Sequence, residues 1–361
     1  MKAWFQRLFA PVRPAAPQRP TVSAKPDAAG KAAGFTAPPL AAALAPPAVQ
    51  ARSSHPDTEA AFFSWLIEVP MDAQAGLDQR ERRALRQLDR LLDDGSLHAS
   101  LLPREANLLP QLLARLRAAS SSLSDLSQQV SRDLTLVAEV IRMANSPYYR
   151  RDAAVVELDS AIRALGTCGL QSAMARTVLK PVLDARSGAV VRRSARRLWD
   201  HTDKKAQLCS ALSVGKGLDP FEGYLLGLVH NAGWHAVLRT LDEVDDAAPW
   251  RLGPAFAAAL HGRRDQLFSV IARKWALSDS LTRVAAEMAS SELHKPLSAP
   301  LQVLATGERL AWLLCSGDAI EASALAEDLL VGEAKSVRAC FVGLAAPLAR
   351  EQQPEAATSD T

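Results

Sequence analysis

The 361-residue sequence lacks most of what marks a catalytic, secreted or membrane-spanning chain. Its four cysteines, Cys168, Cys209, Cys315 and Cys340, lie far apart. They form no CxxC pair and no cluster at ligand spacing, which argues against structural zinc and against a disulfide framework. Scattered thiols of this kind suit a reducing compartment. No stretch approaches the roughly 18 uninterrupted apolar residues that a spanning helix needs. The opening MKAWFQRLF is too short for the apolar core of a secretion signal, and no small-residue cleavage site follows it. These absences predict a soluble, cytoplasmic protein with no membrane insertion. Charge of one sign is also missing: the formal net charge is only +3, so the chain as a whole is not built to bind polyanions. The string SVGKGLD (213–219) lacks both the GxxxxGK[ST] spacing and a preceding strand, and reads as a turn between helices. No segment of any length alternates with period two, so no sheet is expected.

What is present is helical periodicity, in a chain 48% apolar and able to bury a sizeable core. Residues 1–9 form a short amphipathic tip carrying Trp4, Phe5, Leu8 and Phe9. Residues 10–56 are rich in Pro and Ala, with too little large apolar surface to offset the entropy of ordering, and read as a disordered linker. A helical extension follows over 57–100, with Asp57 as a cap and a second helix near Asp78–Asp93 whose mixed charges read as a solvated face. From 101 to 293 the pattern stays helical. Stripes are expected at Leu109–Leu116, from the Ser122 cap through Val130, and from Asp133 to Ala144. Further helices are expected at Glu157–Leu165, Leu170–Leu183, Ala189–Val214, Pro220–Leu241, Gln266–Trp275 and Ser280–Glu292. C-terminal helices occupy 294–350, and 351–361 is a disordered polar tail. The expected fold class is all-α, a helical bundle with flanking helices.

Four stretches, in order, carry a resemblance. LPREANLLPQLL (102–113) is similar to an "LP-x-LP" start. SQQVSRDLTLVAEVIRMANSPYYR (127–150) is similar to a helix that ends in an "(A/N)NS-x-x-Y" turn. VVELDSAIRALGTCGLQSAMARTVL (155–179) is similar to an "sI-x-x-Ai-x-x-LG" segment. RRLWDHTDKKAQLCSALSV with FEGYLLGLVHNAGWHAVL (196–238) is similar to an "LW-x-H-S" helix and an "a-x-x-aGLLHdiG" helix. No one of these is specific, but their order and spacing resemble the HDOD family of bacterial regulatory proteins, which is related to the HD metal-dependent phosphohydrolases. No receiver, diguanylate-cyclase or EAL-type string accompanies them.

The resemblance implies a fold whose second half, in active relatives, gathers His and Asp side chains around divalent metal. Neutral imidazoles and carboxylates converge on a dication, and a bound water becomes the nucleophile. Here His201 matches the first His and His230 the second. Asn231 stands where the Asp is required, Trp234 where active relatives carry Lys, and Arg264 at the place of a further His. No counterpart of the later Asp is found. An amide oxygen is a poor substitute for a carboxylate, and a nearby Arg opposes a dication. His201, His230, Asn231, Trp234 and Arg264 therefore read as a remnant site, with no catalytic residue, no metal and no cofactor. The two histidines would brace their helix pair. A small-ligand pocket there is conceivable without support from the residues. The alternative is a metal-dependent phosphohydrolase with an altered ligand set.

Arg192, Arg193, Arg196, Arg197, Lys204 and Lys205 form the strongest basic feature. They read as a solvated helix face or as an interaction surface for an acidic protein. Asp200 and Asp203 interrupt the run and no aromatic platform is interleaved, which argues against nucleic acid. Trp4 and Phe5 could dock a partner, touch a membrane surface through a helix marginal on its own, or have no specific role. The expected function is non-catalytic signal transduction through protein partners. Because Met1–Ala51 supplies no core stripe, its deletion is expected to leave the melting temperature unchanged in a thermal scan; a fall of several degrees would show that it packs onto the body.

Overall fold

A computed structural model of the chain describes residues 56–93, 127–128, 130–146, 148–149, 154–183, 188–244, 250–289, 297–317 and 319–351. The tip with Trp4 and Phe5, the linker up to residue 55, the Leu109–Leu116 stripe, the Ser122 cap and the tail from 352 lie outside the described residues. The described chain runs through α1 (Pro56–Ile67), α2 (Gln79–Asp93), α3 (Leu134–Ala144), α4 (Leu158–Leu183), α5 (Ala189–Gly215) and α6 (Pro220–His230). It continues through α7 (Ala232–Glu243), α8 (Pro254–Trp275), α9 (Asp279–Ala289), α10 (Ala299–Ser316), α11 (Ala319–Leu330) and α12 (Lys335–Glu351). The fold is all-α. Among the described residues the only strand-like pairing is an isolated bridge between Met71 and Leu252.

Packing is organised by α5. Leu198, His201, Lys205, Leu208 and Leu212 recur three and four residues apart along it, and all five are buried. That spacing puts them on one face of the helix. Around α5 pack α6, α10, α12, α7 and α1, while α8 lies against α7, α1 and α2. The start of α5 follows Gly188, which offers no side chain to cap it. Asp242, near the end of α7, supplies the cap instead: its carboxylate accepts from Val190 N at 2.7 Å and Val191 N at 3.1 Å. The free amides and positive end of the helix are thereby satisfied from another element.

Asn145 shows why an Asn follows α3. Its amide nitrogen donates to Ile141 O (2.9 Å) and Val155 O (2.7 Å), and its oxygen accepts from Val155 N (2.8 Å). One side chain thus closes α3 and pins the entry to α4. Arg176 on α4 then joins Glu139 of α3 (2.7 Å) to Asp203 of α5 (2.8 Å).

Some expected boundaries move. The single helix expected over Pro220–Leu241 is two, broken at Asn231, whose side chain is drawn into the polar cluster described below. The pair expected at Glu157–Leu165 and Leu170–Leu183 is present, the two helices of α4 meeting at a kink where Gly166 leaves helical geometry with φ 60°. The helix expected from Gln266 begins at Pro254; the Ala-rich stretch ahead of Gln266 carries too weak a stripe to announce it.

Gly227 lets α6 approach α5. A Cβ there would stand 2.8 Å from Ala206 Cα and 3.0 Å from Lys205 O, both backbone atoms with no room to yield. Gly227→Ala is therefore expected to cost about 2 kcal/mol, the overpacking strain exceeding the gain in helix propensity. The measurement is a lower urea midpoint at unchanged slope; an equal or higher midpoint would contradict the close approach.

Candidate functional site

The cluster is built by four helices. His201 and Lys205, one turn apart, share the inward face of α5; His230 ends α6 and Asn231 follows it; Glu308 reaches in from α10. Arg264 and Asp265 join from α8. Lys205 is fully buried, and its ammonium is surrounded by acceptors. Glu308 Oε2 lies at 2.6 Å, His230 Nδ1 at 3.0 Å, and Asn231 Oδ1 in short contact. An ammonium has three N–H donors and no acceptor, so the three neighbours account for all of its hydrogen bonds.

That fact orients the rest. Since Lys205 only donates, the Asn231 oxygen must face it, and the Asn231 nitrogen must point the other way. It donates to Thr202 Oγ1 at 2.6 Å and stands 3.1 Å from His201 Nδ1. His201 Nδ1 is then the acceptor and Nε2 carries the proton; Nε2 has no hydrogen-bond partner among the described residues. By the same reasoning His230 accepts at Nδ1, and its Nε2–H lies 3.3 Å from Asp265 Oδ1. Arg264 donates to Glu308 Oε1 at 2.7 Å and its Nε lies 2.7 Å from Asp265 Oδ1. Two cations and two carboxylates leave the cluster neutral.

The protonation states follow from burial and these pairs. Burial pushes His201 down to about 3 and also lowers His230. Burial alone would raise the Glu308 carboxyl, but Lys205 and Arg264 outweigh it and hold it well below the usual range. Burial pulls the Lys205 ammonium down from the ordinary lysine value, and the Glu308 carboxylate opposes that loss. With a carboxylate oxygen at 2.6 Å and three acceptors for three protons, the pair is an ion pair.

Aromatic rings cover the His201 side of the site, while Glu308 and Asp265 on the other side stay part-exposed. Phe62 of α1 meets His201 edge-on at 4.9 Å between centroids and also touches His261, Trp312 and Trp234. Phe63 stacks on Trp234 at 5.5 Å with an interplanar angle of 17°. Arg264 lies 5.6 Å over the same indole.

His201, His230, Asn231 and Arg264 thus come together as the sequence suggested, and Trp234 forms the floor beside them rather than a polar member. A dication does not fit these residues. The lone pair of His201 Nδ1 faces the Asn231 amide nitrogen, and the lone pair of His230 Nδ1 is held by Lys205. Among the described residues no group of three His, Cys, Asp or Glu side chains is placed to hold a metal ion. A dication close to an ammonium would also be repelled by about 8 kcal/mol at ~4 Å and an effective dielectric constant of ~20.

Several expectations are corrected. Lys205, placed on the interaction surface, is at the centre of the site, because it follows His201 by four residues and must share its face. Arg197 is engaged with Trp65 O (3.0 Å) and Glu68 (2.6 Å), and Lys204 with Asp200 (2.6 Å) and Leu314 O (3.2 Å). Of that surface Arg192, Arg193 and Arg196 remain exposed. Glu308, Asp265, Thr202 and Phe62 were not anticipated. Lys205 had a sequence signal in the Leu198–Leu212 stripe, and Glu308 had one in lying between Leu304 and Ala311 at helical spacing. Phe62 had none.

The HDOD domain matches residues 102–290, and the chain belongs to the HDOD family. Its fold is like that of a protein from Shewanella amazonensis SB2B that carries a provisional metal-dependent phosphohydrolase name. The two share 19% identity, with 74% of this chain and 99% of that one covered and a TM-score of 0.51. An HDOD domain protein of unknown function from Geobacter sulfurreducens aligns at 16% identity over 75% of this chain and 96% of that one, with a TM-score of 0.48. No curated protein matches the chain. No helix of the described residues is long and apolar enough to cross a membrane.

Burial holds His201, His235 and His261 neutral in the fold, each down to about 3 against an ordinary 6.5. Below pH 6.5 the unfolded chain takes up protons that the folded one refuses. Stability is therefore fully present above that value and is lost as pH falls. Each such proton steepens the loss by about 1.4 kcal/mol per pH unit, so three give a slope of about 4. Urea unfolding at pH 7, 6 and 5 is expected to show this fall; a flat profile would contradict the neutral, buried assignment.

Proposed function

We propose that this HDOD protein is a cytoplasmic, non-catalytic regulatory protein that works by binding other proteins in a signalling pathway. The observation that carries the reading is Asn231. At the position where metal-dependent relatives need an anionic ligand, this chain has an amide whose nitrogen faces His201 Nδ1 and Thr202 Oγ1. Both ends of that side chain are committed to hydrogen bonds, and neither is an anion that could hold a dication in place.

The surface supports a protein partner with acidic character. On α2 the exposed side chains include Arg82, Arg83, Arg86 and Arg90, while Glu81 is buried and Asp89 is bound by Arg263 at 2.8 Å. Arginine thus dominates the outward face of that helix, beside the exposed Asp93. Arg192, Arg193 and Arg196 do the same on the first half of α5. Guanidinium rows of this kind suit carboxylate-rich protein surfaces.

The test is a screen of phosphate monoesters, cyclic dinucleotides and nucleoside phosphates with manganese, magnesium, iron or zinc, run beside His201→Ala and His230→Ala. No turnover above the metal-only control is expected. Turnover by the parent protein that both variants abolish would overturn the reading.

A further inference from the structure

The polar cluster raises a second question: what does a site built from two histidines and two carboxylates hold when its chemistry does not suit a metal? We propose that the Lys205 ammonium is the resident cation of this site, standing where the ring of His230, Asn231 and Glu308 would otherwise hold a divalent metal ion. The inference rests on the non-catalytic reading above and adds to it the residue that keeps metal out.

Three observations carry it. The first is placement. Lys205 Nζ lies 3.0 Å from an imidazole nitrogen, 2.6 Å from a carboxylate oxygen, and in contact with an amide oxygen. Those three atoms come from the end of α6, from α10 and from the residue after His230. Two nitrogen- or oxygen-bearing ligands and a carboxylate converging from separate helices are what a hard or borderline dication selects. The second is stoichiometry. Three acceptors meet three N–H bonds, so the lysine fills the ring without leaving a donor or acceptor over. The third is charge. Lys205 and Arg264 balance Glu308 and Asp265, whereas adding a dication to the native set would leave two positive charges in excess. A buried, unbalanced charge is costly, so the lysine excludes metal thermodynamically as well as sterically.

The inference specifies how to reverse the exchange. Lys205→Ala removes one positive charge and Asn231→Asp adds one negative charge. The cluster then has a net charge of −2, which one dication neutralises, and the carboxylate of Asn231→Asp joins His230 Nδ1 and Glu308 Oε2 as a third ligand. In equilibrium dialysis and calorimetry, full-length wild-type protein is expected to take up no manganese or zinc at this site. The Lys205→Ala/Asn231→Asp variant is expected to bind one equivalent of zinc or manganese and to melt several degrees higher with it. Adding His230→Ala is expected to weaken that binding by about a hundredfold.

Failure of this inference separates from failure of the functional reading. Wild-type protein that binds one equivalent of metal through His230 without turnover overturns the resident-cation inference alone. Turnover overturns the functional reading. A folded double variant that takes up no metal also overturns the inference and leaves the functional reading standing. Should the double variant be unfolded without metal, refolding on addition of zinc supports the proposal. If it stays unfolded, the wild-type chain decides. Lysine labelled with nitrogen-15 is expected to show one exchange-protected ammonium signal at pH 7 that Lys205→Met removes. Absence of such a signal overturns the proposal.

Discussion

The ion pair between Lys205 and Glu308 holds the rest of the structure in register. It joins the central helix α5 to α10, which lies outside the part of the chain matched to the family. Around it, each polar neighbour has only one orientation left. The ammonium fixes the Asn231 amide, the amide fixes the His201 tautomer, and the ammonium fixes the His230 tautomer. A charge of this kind is tolerated in a core only when it is paired and its hydrogen bonds are complete. Both conditions are met, and Arg264 and Asp265 close the balance.

Around this centre the packing is aromatic and asymmetric. Phe62 and Phe63 arrive from α1, ahead of the matched domain, and cover His201 and Trp234. Glu308 arrives from behind it. The site is thus completed by segments on both sides of the domain that the sequence resemblance identifies. The polar cluster is thus bound into the core, while arginines line the outer faces of α2 and the first half of α5.

Much of the fold was legible in the chain. Three- and four-residue spacing of Leu, Val and Ala announces the helices, and Asp133 and Asn145 mark the two ends of α3 by chemistry that acts within a few residues. The break at Asn231 was not legible. Local sequence there continues a helix, and only the pull of His201, Thr202 and Lys205 from α5 turns the amide inward. The break at Gly166 was legible by contrast, since a glycine free to take positive φ sits between the two expected stripes.

The sequence by itself determined an all-helical chain of the HDOD family and the residue types His201, His230 and Asn231 at the positions its motifs single out. Those are statements about residue types and periodicity, which the chain carries locally. Only the tertiary structure decided which cation stands among them. In sequence, Lys204 and Lys205 are two adjacent basic residues in a basic run. Helical geometry turns one toward Asp200 near the surface and the other into the core. Which of them becomes the buried cation depends on Glu308, 103 residues further along, because a buried charge is stable only where a partner charge meets it.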